Sequence, residues 1–216
     1  MTRPDDHKTK ATAIKDSWGK RCNVLLFMST TDDPSLPAIA LNVTEGRDHL
    51  WEKTRQAFRY VWTNYKDQAD WFFKADDDAY VVVENLRFML SAYSSSDAIH
   101  FGYKSKGKID GGHNHGGPGY VLSKQAVQRF VEQGLDNDAL CDKTPTEFED
   151  VAMTKCLKML NVKNGDSRDS LGRERFSPLN ARKQIYPGEP KADSWLALFF
   201  TNSIHIFVSA YFASII

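Results

Sequence analysis

The stretch WFFKADDDAYV, residues 71–81, places three consecutive aspartates directly after an aromatic run. Residues 70–75 have the pattern of a short buried strand, and Asp76, Asp77 and Asp78 follow its end. Neighbouring carboxylates repel one another, so each disfavours the ionised form of the next. A bound divalent cation is one reason for such crowding, and a solvated acidic turn is the alternative.

The segments on both sides of this stretch alternate between strand and helix patterns. Predicted strands cover residues 23–29, 38–43, 70–75 and 98–102. Predicted helices cover residues 47–65, 84–93, 123–133 and 148–160, and a glycine-rich loop is expected at residues 104–119. This alternation predicts an α/β domain with a mainly parallel central sheet. Ligands collect at the carboxyl ends of strands in such sheets, which is where the aspartates fall.

Composition limits the classes of partner. The 216 residues are enough for one domain with a substantial core. The 28 Lys and Arg residues balance 28 Asp and Glu residues, so no basic excess points to nucleic acid, and we expect no nucleic-acid partner. Three cysteines do not decide the redox compartment, because three thiols are as plausible as one disulfide and one thiol.

The two ends of the chain differ in character. Residues 1–21 are polar and do not contain the apolar core of a signal peptide. Residues 195–216, WLALFFTNSIHIFVSAYFASII, carry no Asp, Glu, Lys or Arg and are long enough for a tilted membrane span. Polar residues at 201–203 and 205 interrupt this run, so a buried strand pair and a non-native end remain alternatives.

Five stretches in a fixed order resemble those of a known family. They are SWGKRCNVLLFMS (17–29), LNVTEGRDHLWEKTRQAFRYV (41–61), DWFFKADDDAYVVVENLRFML (70–90), GGPGYVLSKQAVQRFV (116–131) and EFEDVAMTKCLKMLNVKNGDSRDSLGRERF (147–176). Together they resemble the core 1 β1,3-galactosyltransferase family. The resemblance implies a Rossmann-like nucleotide-sugar transferase domain of the GT-A type in residues 1–176, and a divergent tail in residues 177–216.

The resemblance also implies a reaction and a location. Such enzymes transfer galactose from UDP-galactose to the 3-hydroxyl of a GalNAc linked to Ser or Thr of a glycoprotein, with inversion at the anomeric carbon. Mn²⁺ is the implied cofactor, and the lumenal side of the Golgi membrane is the implied location. Membrane association would come from the family's N-terminal anchor or from the apolar residues 195–216. The resemblance allows a homodimer.

Two groups of residues match the donor side of the family's site. Asp76 and Asp78 match the metal-binding acids, and Asp76 is also expected to contact the nucleotide. The bound cation would neutralise the charge of the diphosphate leaving group. The nucleotide-contacting residues implied by the resemblance are Glu45, Gly46, Arg47, Lys53, Gly116 and Gly117. A solvated first helical turn is the alternative for Arg47 and Lys53.

The acceptor side and the disulfide follow from the same resemblance. Asp150 matches the base that removes the proton from the attacking hydroxyl. A helix N-terminus, where acids are favoured by the macrodipole, is a compatible alternative for Asp150. Cys141 and Cys156 match a bridged pair, which implies an oxidising lumen. The family partner of Cys22 lies upstream of Met1.

Several departures from the family pattern lead us to expect a weak or inactive transferase. The family's anchor, stem and opening strand precede the matching region. Its aromatic acceptor segment and a metal-completing histidine are replaced after Phe176, and His205 is not assigned that role. Thr154 and Pro118 stand where the family commonly has glycine and alanine. A non-catalytic nucleotide- or partner-binding relative is therefore the main alternative. A phosphohydrolase that uses His113 and His115 for a second metal is a further one.

Overall fold

The structure is a computed structural model that describes residues 1–106 and 109–179. The strands within these ranges are β1 Phe27–Ser29, β2 Ala38–Ala40, β3 Trp71–Lys74, β4 Ile99–Ser105, β5 His113–Ser123 and β6 Lys163–Asn164. The apolar residues 195–216 and His205 lie outside the described residues, as does nearly all of the predicted tail.

The strands form two sheets. β1 and β2 pair in parallel, and the second sheet has the order β3-β5-β4-β6. β5 is antiparallel to both of its neighbours, whereas β6 is parallel to β4. The predicted α/β class is confirmed, but the larger sheet is mixed rather than mainly parallel. The reason is the short connection between β4 and β5, which leaves no room for a crossover helix and returns the chain antiparallel.

The predicted glycine-rich loop at residues 104–119 is wrong over its second half. Residues His113, Asn114 and His115 pair with Ser105, Lys104 and Tyr103 of β4, so β5 begins at residue 113. The register between β4 and β5 then shifts, and Gly102 pairs with Tyr120. Residues 116–119, GGPG, therefore form a bulge inside β5.

The helices are α1 Thr12–Asp16, α2 Leu50–Tyr65, α3 Val83–Leu90, α4 Lys124–Arg129 and α5 Glu149–Met159. All four predicted helices are present with shifted ends. The Ser123 N-cap is also present, because its Oγ accepts a hydrogen bond from the Ala126 amide at 3.1 Å. α4 is shorter than predicted and continues as a π-turn at Phe130–Gly134. Helical turns over Pro4–Asp6, His7–Ala11 and Trp18–Arg21, together with α1, were not predicted.

Side-chain alternation along β3 separates the core into two layers. Phe73 packs with α3 residues on one face of the larger sheet. Phe72 faces the other way and packs with residues of α2, α4 and α5. Because alternate residues share a face, Lys74 and Tyr120 lie on the α5 side of the sheet.

Met1 and Thr2 connect the ends of β1 and β3. The Thr2 amide donates to the Met28 carbonyl at 3.0 Å, and the Met1 amino nitrogen donates to the Ala75 carbonyl at 2.6 Å. The carboxyl ends of β1 and β3 consequently lie at the same edge of the domain. This edge positions the residues that the sequence singles out.

A disulfide joins Cys141 to Cys156 of α5, the pairing that the family resemblance implies. It encloses a 15-residue separation, for which loop-closure entropy alone is worth about 3 kcal/mol. Burial raises the pKa of the half-buried Cys22 thiol to about 12. Across residues 1–106 and 109–179, none of the helices combines the length and the apolar character that a membrane crossing requires.

Candidate functional site

The aspartate triplet after β3 is divided between the interior and the surface. Asp77 is only 8% exposed, and its carboxylate accepts hydrogen bonds from Thr2 Oγ1 at 2.7 Å and from Lys10 Nζ at 3.2 Å. Asp76 has a side chain that is 43% exposed, and Asp78 is exposed. The triplet is thus not a solvated acidic turn throughout. Asp77 bonds residues of the N-terminal segment, whereas Asp76 and Asp78 face solvent.

The outer two carboxylates lie in opposite electrostatic environments. Partial burial, followed by repulsion from Asp76 and Asp77, raises the pKa of Asp78. Burial acts in the same direction on Asp76, but the positive groups around it, first among them the Lys74 ammonium and then the Met1 amino group, together lower the pKa of Asp76. The negative charge accumulated at this turn disfavours the ionised form of Asp78. A bound divalent cation would relieve that cost.

The donor set suits a hard cation that keeps other ligands. Mg²⁺ and Mn²⁺ favour carboxylate oxygens and commonly complete their coordination with water and substrate phosphates. Within residues 1–106 and 109–179, no group of three or more His, Cys, Asp or Glu side chains is arranged to hold a metal ion. A cation at Asp76 and Asp78 would therefore depend on further oxygen ligands, such as those of a diphosphate.

A buried lysine connects Asp76 to the start of α5. Lys74 Nζ donates to Asp76 Oδ1 at 2.9 Å and to Glu149 Oε2 at 3.3 Å, and the side chains of Lys74 and Glu149 are 8% and 6% exposed. The Tyr120 hydroxyl donates to the other oxygen of Glu149. Burial disfavours the Lys74 ammonium, but the two carboxylates outweigh burial and raise its pKa. Burial and the Glu149 charge raise the pKa of Tyr120 well above its ordinary value, so its hydroxyl stays protonated.

Asp150 lies in the first turn of α5, next to Glu149. Its Oδ2 accepts a hydrogen bond from the Gly116 amide at 2.9 Å, and its Oδ1 accepts one from the Val151 amide at 2.8 Å. The side chain is 18% exposed. The helix start and the bulge together orient this carboxylate, so the helix-terminus interpretation of Asp150 is compatible with a role as base.

Two histidines of β5 directly precede the bulge. His113 is buried, and its Nε2 lies 3.8 Å from Asp150 Oδ2. His115 Nδ1 accepts a hydrogen bond from the Gly117 amide at 3.1 Å. The phosphohydrolase alternative requires a second metal position, and the described part of the chain does not assemble one from His, Cys, Asp and Glu side chains.

The residues of the predicted nucleotide-contacting stretch differ in exposure. Lys53 is 5% exposed at its side chain, and its ammonium donates to Glu45 Oε1 at 2.6 Å and to the Thr2 carbonyl at 2.7 Å. The solvated-turn alternative is therefore wrong for Lys53. Arg47 has a side chain that is 83% exposed, with its Nε 3.8 Å from Glu147. Gly46 has φ +141°, a conformation that L side chains rarely adopt.

Hydrogen bonds place these residues at the edge where β1 and β3 end. Glu45 Oε1 accepts from Thr30 Oγ1 at 3.0 Å, directly after β1. Thr2 bonds Lys53 through its carbonyl and Asp77 through its hydroxyl. The structure therefore brings the Glu45–Lys53 stretch to the aspartate turn, and it brings Asp150 to the Gly116 bulge.

Sequence reasoning missed Lys74 as a member of this group. The only local signal is a lysine two residues before Asp76 inside an otherwise apolar strand. A charged residue buried in such a strand needs a partner of opposite charge. Lys10 was also missed, because its contact with Asp77 joins residues that lie 67 positions apart.

Comparisons with known proteins show the family to which the chain belongs. The profile of the Fringe-like family matches residues 2–169. A Xenopus laevis glycoprotein-N-acetylgalactosamine 3-beta-galactosyltransferase 1 is 49% identical over 178 residues, which are 82% of this chain and 49% of the relative. Human chondroitin sulfate synthase 3 is 29% identical over 135 residues, covering 58% of this chain and 15% of that protein. A mouse beta-1,3-glucosyltransferase is 24% identical over 128 residues, which cover 58% of this chain and 26% of that protein. The chain spans about half the length of the first relative, and less of the others.

Proposed function

The chain belongs to the Fringe-like family, and from that premise we propose that it is a β1,3-galactosyltransferase. The donor is UDP-galactose, and the acceptor is the 3-hydroxyl of a GalNAc linked to Ser or Thr of a glycoprotein. The likeness to the Xenopus enzyme supports this choice among the sugar transferases that the chain resembles, because it is the strongest of the three in both identity and coverage.

Asp76 and Asp78 hold Mn²⁺ in this proposal. The bound cation supplies electrostatic neutralisation of the diphosphate that leaves with the nucleotide. Exposed Arg47 offers its guanidinium to the nucleotide, and Gly46 lets the backbone approach it. Lys53 acts indirectly, because its buried ammonium fixes Glu45. Gly116 lies against Asp150, and Gly117, which lies beside His115, follows it in the bulge.

Asp150 is the general base. Its carboxylate removes the proton from the acceptor hydroxyl as that oxygen attacks the anomeric carbon from the face opposite the diphosphate, which inverts the configuration. The Gly116 and Val151 amides hold the two carboxylate oxygens, so the carboxylate enters the reaction already oriented.

One observation carries the proposal: Lys74 bonds both Asp76 and Glu149, the neighbour of Asp150. The carboxylate proposed for the donor is thus linked through Lys74 to the residue that precedes the carboxylate proposed for the acceptor. A transferase needs this proximity, because the attacking oxygen and the leaving group lie on opposite faces of one sugar carbon.

The cellular setting is part of the same proposal. The Cys141–Cys156 disulfide is stable in an oxidising compartment such as the Golgi lumen. We place the catalytic domain in residues 1–176 on the lumenal side of the Golgi membrane. Membrane association and a homodimer are carried over from the family.

The test is a transfer assay with the purified protein, UDP-galactose, Mn²⁺ and a GalNAc-peptide. Because the chain departs from the family pattern after Phe176, we expect slow formation of a β1,3-linked galactose on the peptide, identified by mass spectrometry and NMR, and no comparable product from UDP-glucose. Binding of UDP without any product would favour the non-catalytic relative. Hydrolysis of a phosphate ester without sugar transfer would contradict the proposal.

A further inference from the structure

We propose that Lys74 is a positioning residue that holds both the donor carboxylate Asp76 and the first turn of α5, which carries Asp150. This inference rests on the proposed function and adds a residue that the family resemblance does not assign. Lys74 itself is buried and contacts neither the acceptor nor the donor in this scheme. Its effect passes through Asp76 on one side and through Glu149 on the other.

The contact with Asp76 fixes the orientation of a surface carboxylate. The Asp76 side chain is 43% exposed, whereas the ammonium that bonds its Oδ1 is almost fully shielded from water. An ion pair with one shielded partner is held more firmly than a pair in which both partners are solvated. Asp76 therefore presents its carboxylate to a cation in a fixed direction, without the entropy cost of ordering it on binding.

The contact with Glu149 fixes the start of α5. The Glu149 carboxylate is buried among three neighbours: Lys74 bonds Oε2, Tyr120 bonds Oε1, and a Cβ at Gly116 would lie 3.5 Å from Oε2. Asp150 follows Glu149 directly and bonds the Gly116 amide. Movement of Glu149 would therefore displace both the base and the bulge that orients it.

One ammonium shared by two carboxylates supports both sides of the proposed site. Lys74 and Tyr120 are paired residues on β3 and β5, so the sheet register holds the ammonium and the hydroxyl on the same face. Lys74 Nζ also lies 5.6 Å from the centre of the Tyr120 ring, within the range of a cation–π contact. A neutral residue at position 74 would leave Glu149 buried beside the Tyr120 hydroxyl and would remove the bond between Asp76 and a buried ammonium.

The first arm of the test measures Mn²⁺-dependent UDP binding by calorimetry for wild type, Lys74→Met, Asp76→Asn and the double variant. We expect Lys74→Met to weaken binding about tenfold or more, as loss of support behind a metal ligand typically does. In the Asp76→Asn background the same change should have almost no further effect, because Lys74 acts through Asp76. Equal effects of Lys74→Met in both backgrounds would overturn the inference.

The second arm tests the contact of Lys74 with Glu149 separately from its contact with Asp76. Glu149→Gln keeps the side-chain shape and the Tyr120 contact, so this variant tests the α5 side even if Lys74→Met does not fold. We expect a decrease in kcat for the GalNAc-peptide of about tenfold or more, with UDP binding changed by less than about twofold. Equal losses of kcat and UDP binding, or no loss of either, would overturn the inference.

Two controls complete the design. Lys74→Arg should recover part of the UDP affinity, because it restores the charge. Arg59→Met removes an ion pair with Asp136 on the outer face of α2, at 2.7 Å and exposed, and should leave UDP binding and kcat unchanged. The wild-type protein alone decides the proposed function. If the wild-type protein neither binds UDP with Mn²⁺ nor transfers galactose, both proposals fail. If it binds UDP and transfers galactose, the variants decide the role of Lys74.

Discussion

The Asp150 carboxylate accepts a hydrogen bond from the Gly116 amide, with Oδ2 and N 2.9 Å apart. This bond joins the first turn of α5 to the bulge in β5. The bulge exists because the register between β4 and β5 shifts at Gly102 and Tyr103, which leaves residues 116–119 outside the ladder. An amide released from sheet pairing in this way is available to orient a carboxylate.

The proposed base gives the first prediction. Asp150→Asn keeps an oxygen that accepts from Gly116 but is no longer basic at neutral pH. We expect kcat for the GalNAc-peptide to fall by about 10²- to 10⁴-fold, with Mn²⁺-dependent UDP affinity nearly unchanged. Asp138→Asn is the matched control, because Asp138 forms an exposed ion pair with Lys143. Retained transfer by Asp150→Asn would exclude Asp150 as the base.

The division of the aspartate triplet gives the second prediction. Asp77→Asn removes the charge of a buried carboxylate that pairs with the half-buried Lys10, and we expect it to lower the free energy of unfolding by about 1–2 kcal/mol. Asp78→Asn removes a carboxylate whose ionised form burial and its neighbours disfavour, since these raise the pKa of Asp78. Without metal, Asp78→Asn should therefore leave the free energy of unfolding unchanged or increase it.

Denaturant unfolding of both variants in EDTA measures this difference. Metal titration adds a second readout, because Asp78→Asn should weaken Mn²⁺-dependent UDP binding about tenfold or more. A destabilised Asp78→Asn protein that still binds UDP like wild type would show that the roles of the two residues are reversed.

The third prediction concerns the last glycine of the bulge. Gly119 has φ +80°, and a Cβ there would lie 2.5 Å from Phe73 Cζ and 2.8 Å from the Lys74 carbonyl oxygen. Gly111 has a similar φ of +85° but nothing within 4 Å of its Cβ position. Both alanine variants incur the left-handed backbone cost of about 1–2 kcal/mol, whereas only Gly119→Ala adds a steric clash of about 1–3 kcal/mol. Thermal unfolding of the two variants measures the gap, and equal losses would contradict the packing described at Gly119.

The fourth prediction is a pH dependence of stability. Burial lowers the pKa of His100 from 6.5 to about 4. The unfolded chain therefore takes up this proton first, and the free energy of unfolding should fall as the pH decreases from about 6.5 to about 4, by up to about 3 kcal/mol. His100→Gln keeps an acceptor for the Asn114 amide, which lies 3.0 Å from His100 Nδ1, and cannot titrate.

Denaturant unfolding at several pH values compares wild type with His100→Gln. The titration of acidic residues changes the free energy of unfolding of both proteins equally. The difference between the two curves therefore gives the contribution of His100 alone. Parallel curves across this range would mean that His100 is not buried as described.

The sequence predicts the parts of the site that local patterns encode. An aromatic run followed by charges correctly placed the aspartates after β3, and apolar residues at helical spacing correctly predicted α2. The Ser123 cap was visible in the same way, because an N-cap acts within one turn.

Other parts of the site depend on contacts between residues far apart in the chain. The inward orientation of Asp77 depends on Thr2 and Lys10, and burial of Lys53 depends on Thr2 and Glu45. The strand at residues 113–115 was missed because its glycine-rich surroundings resemble a loop, whereas pairing with β4 decides its conformation. The link between Asp76 and the first turn of α5 likewise became visible only through the contacts of Lys74.

Calorimetry of UDP binding to the wild-type protein and to the Asp76→Asn, Asp78→Asn double variant tests the central claim most directly. The account predicts saturable UDP binding by wild type with Mn²⁺, with none in EDTA and none by the double variant under either condition. UDP binding by wild type that is equally strong in EDTA, or binding by the double variant that matches wild type with Mn²⁺, would contradict it.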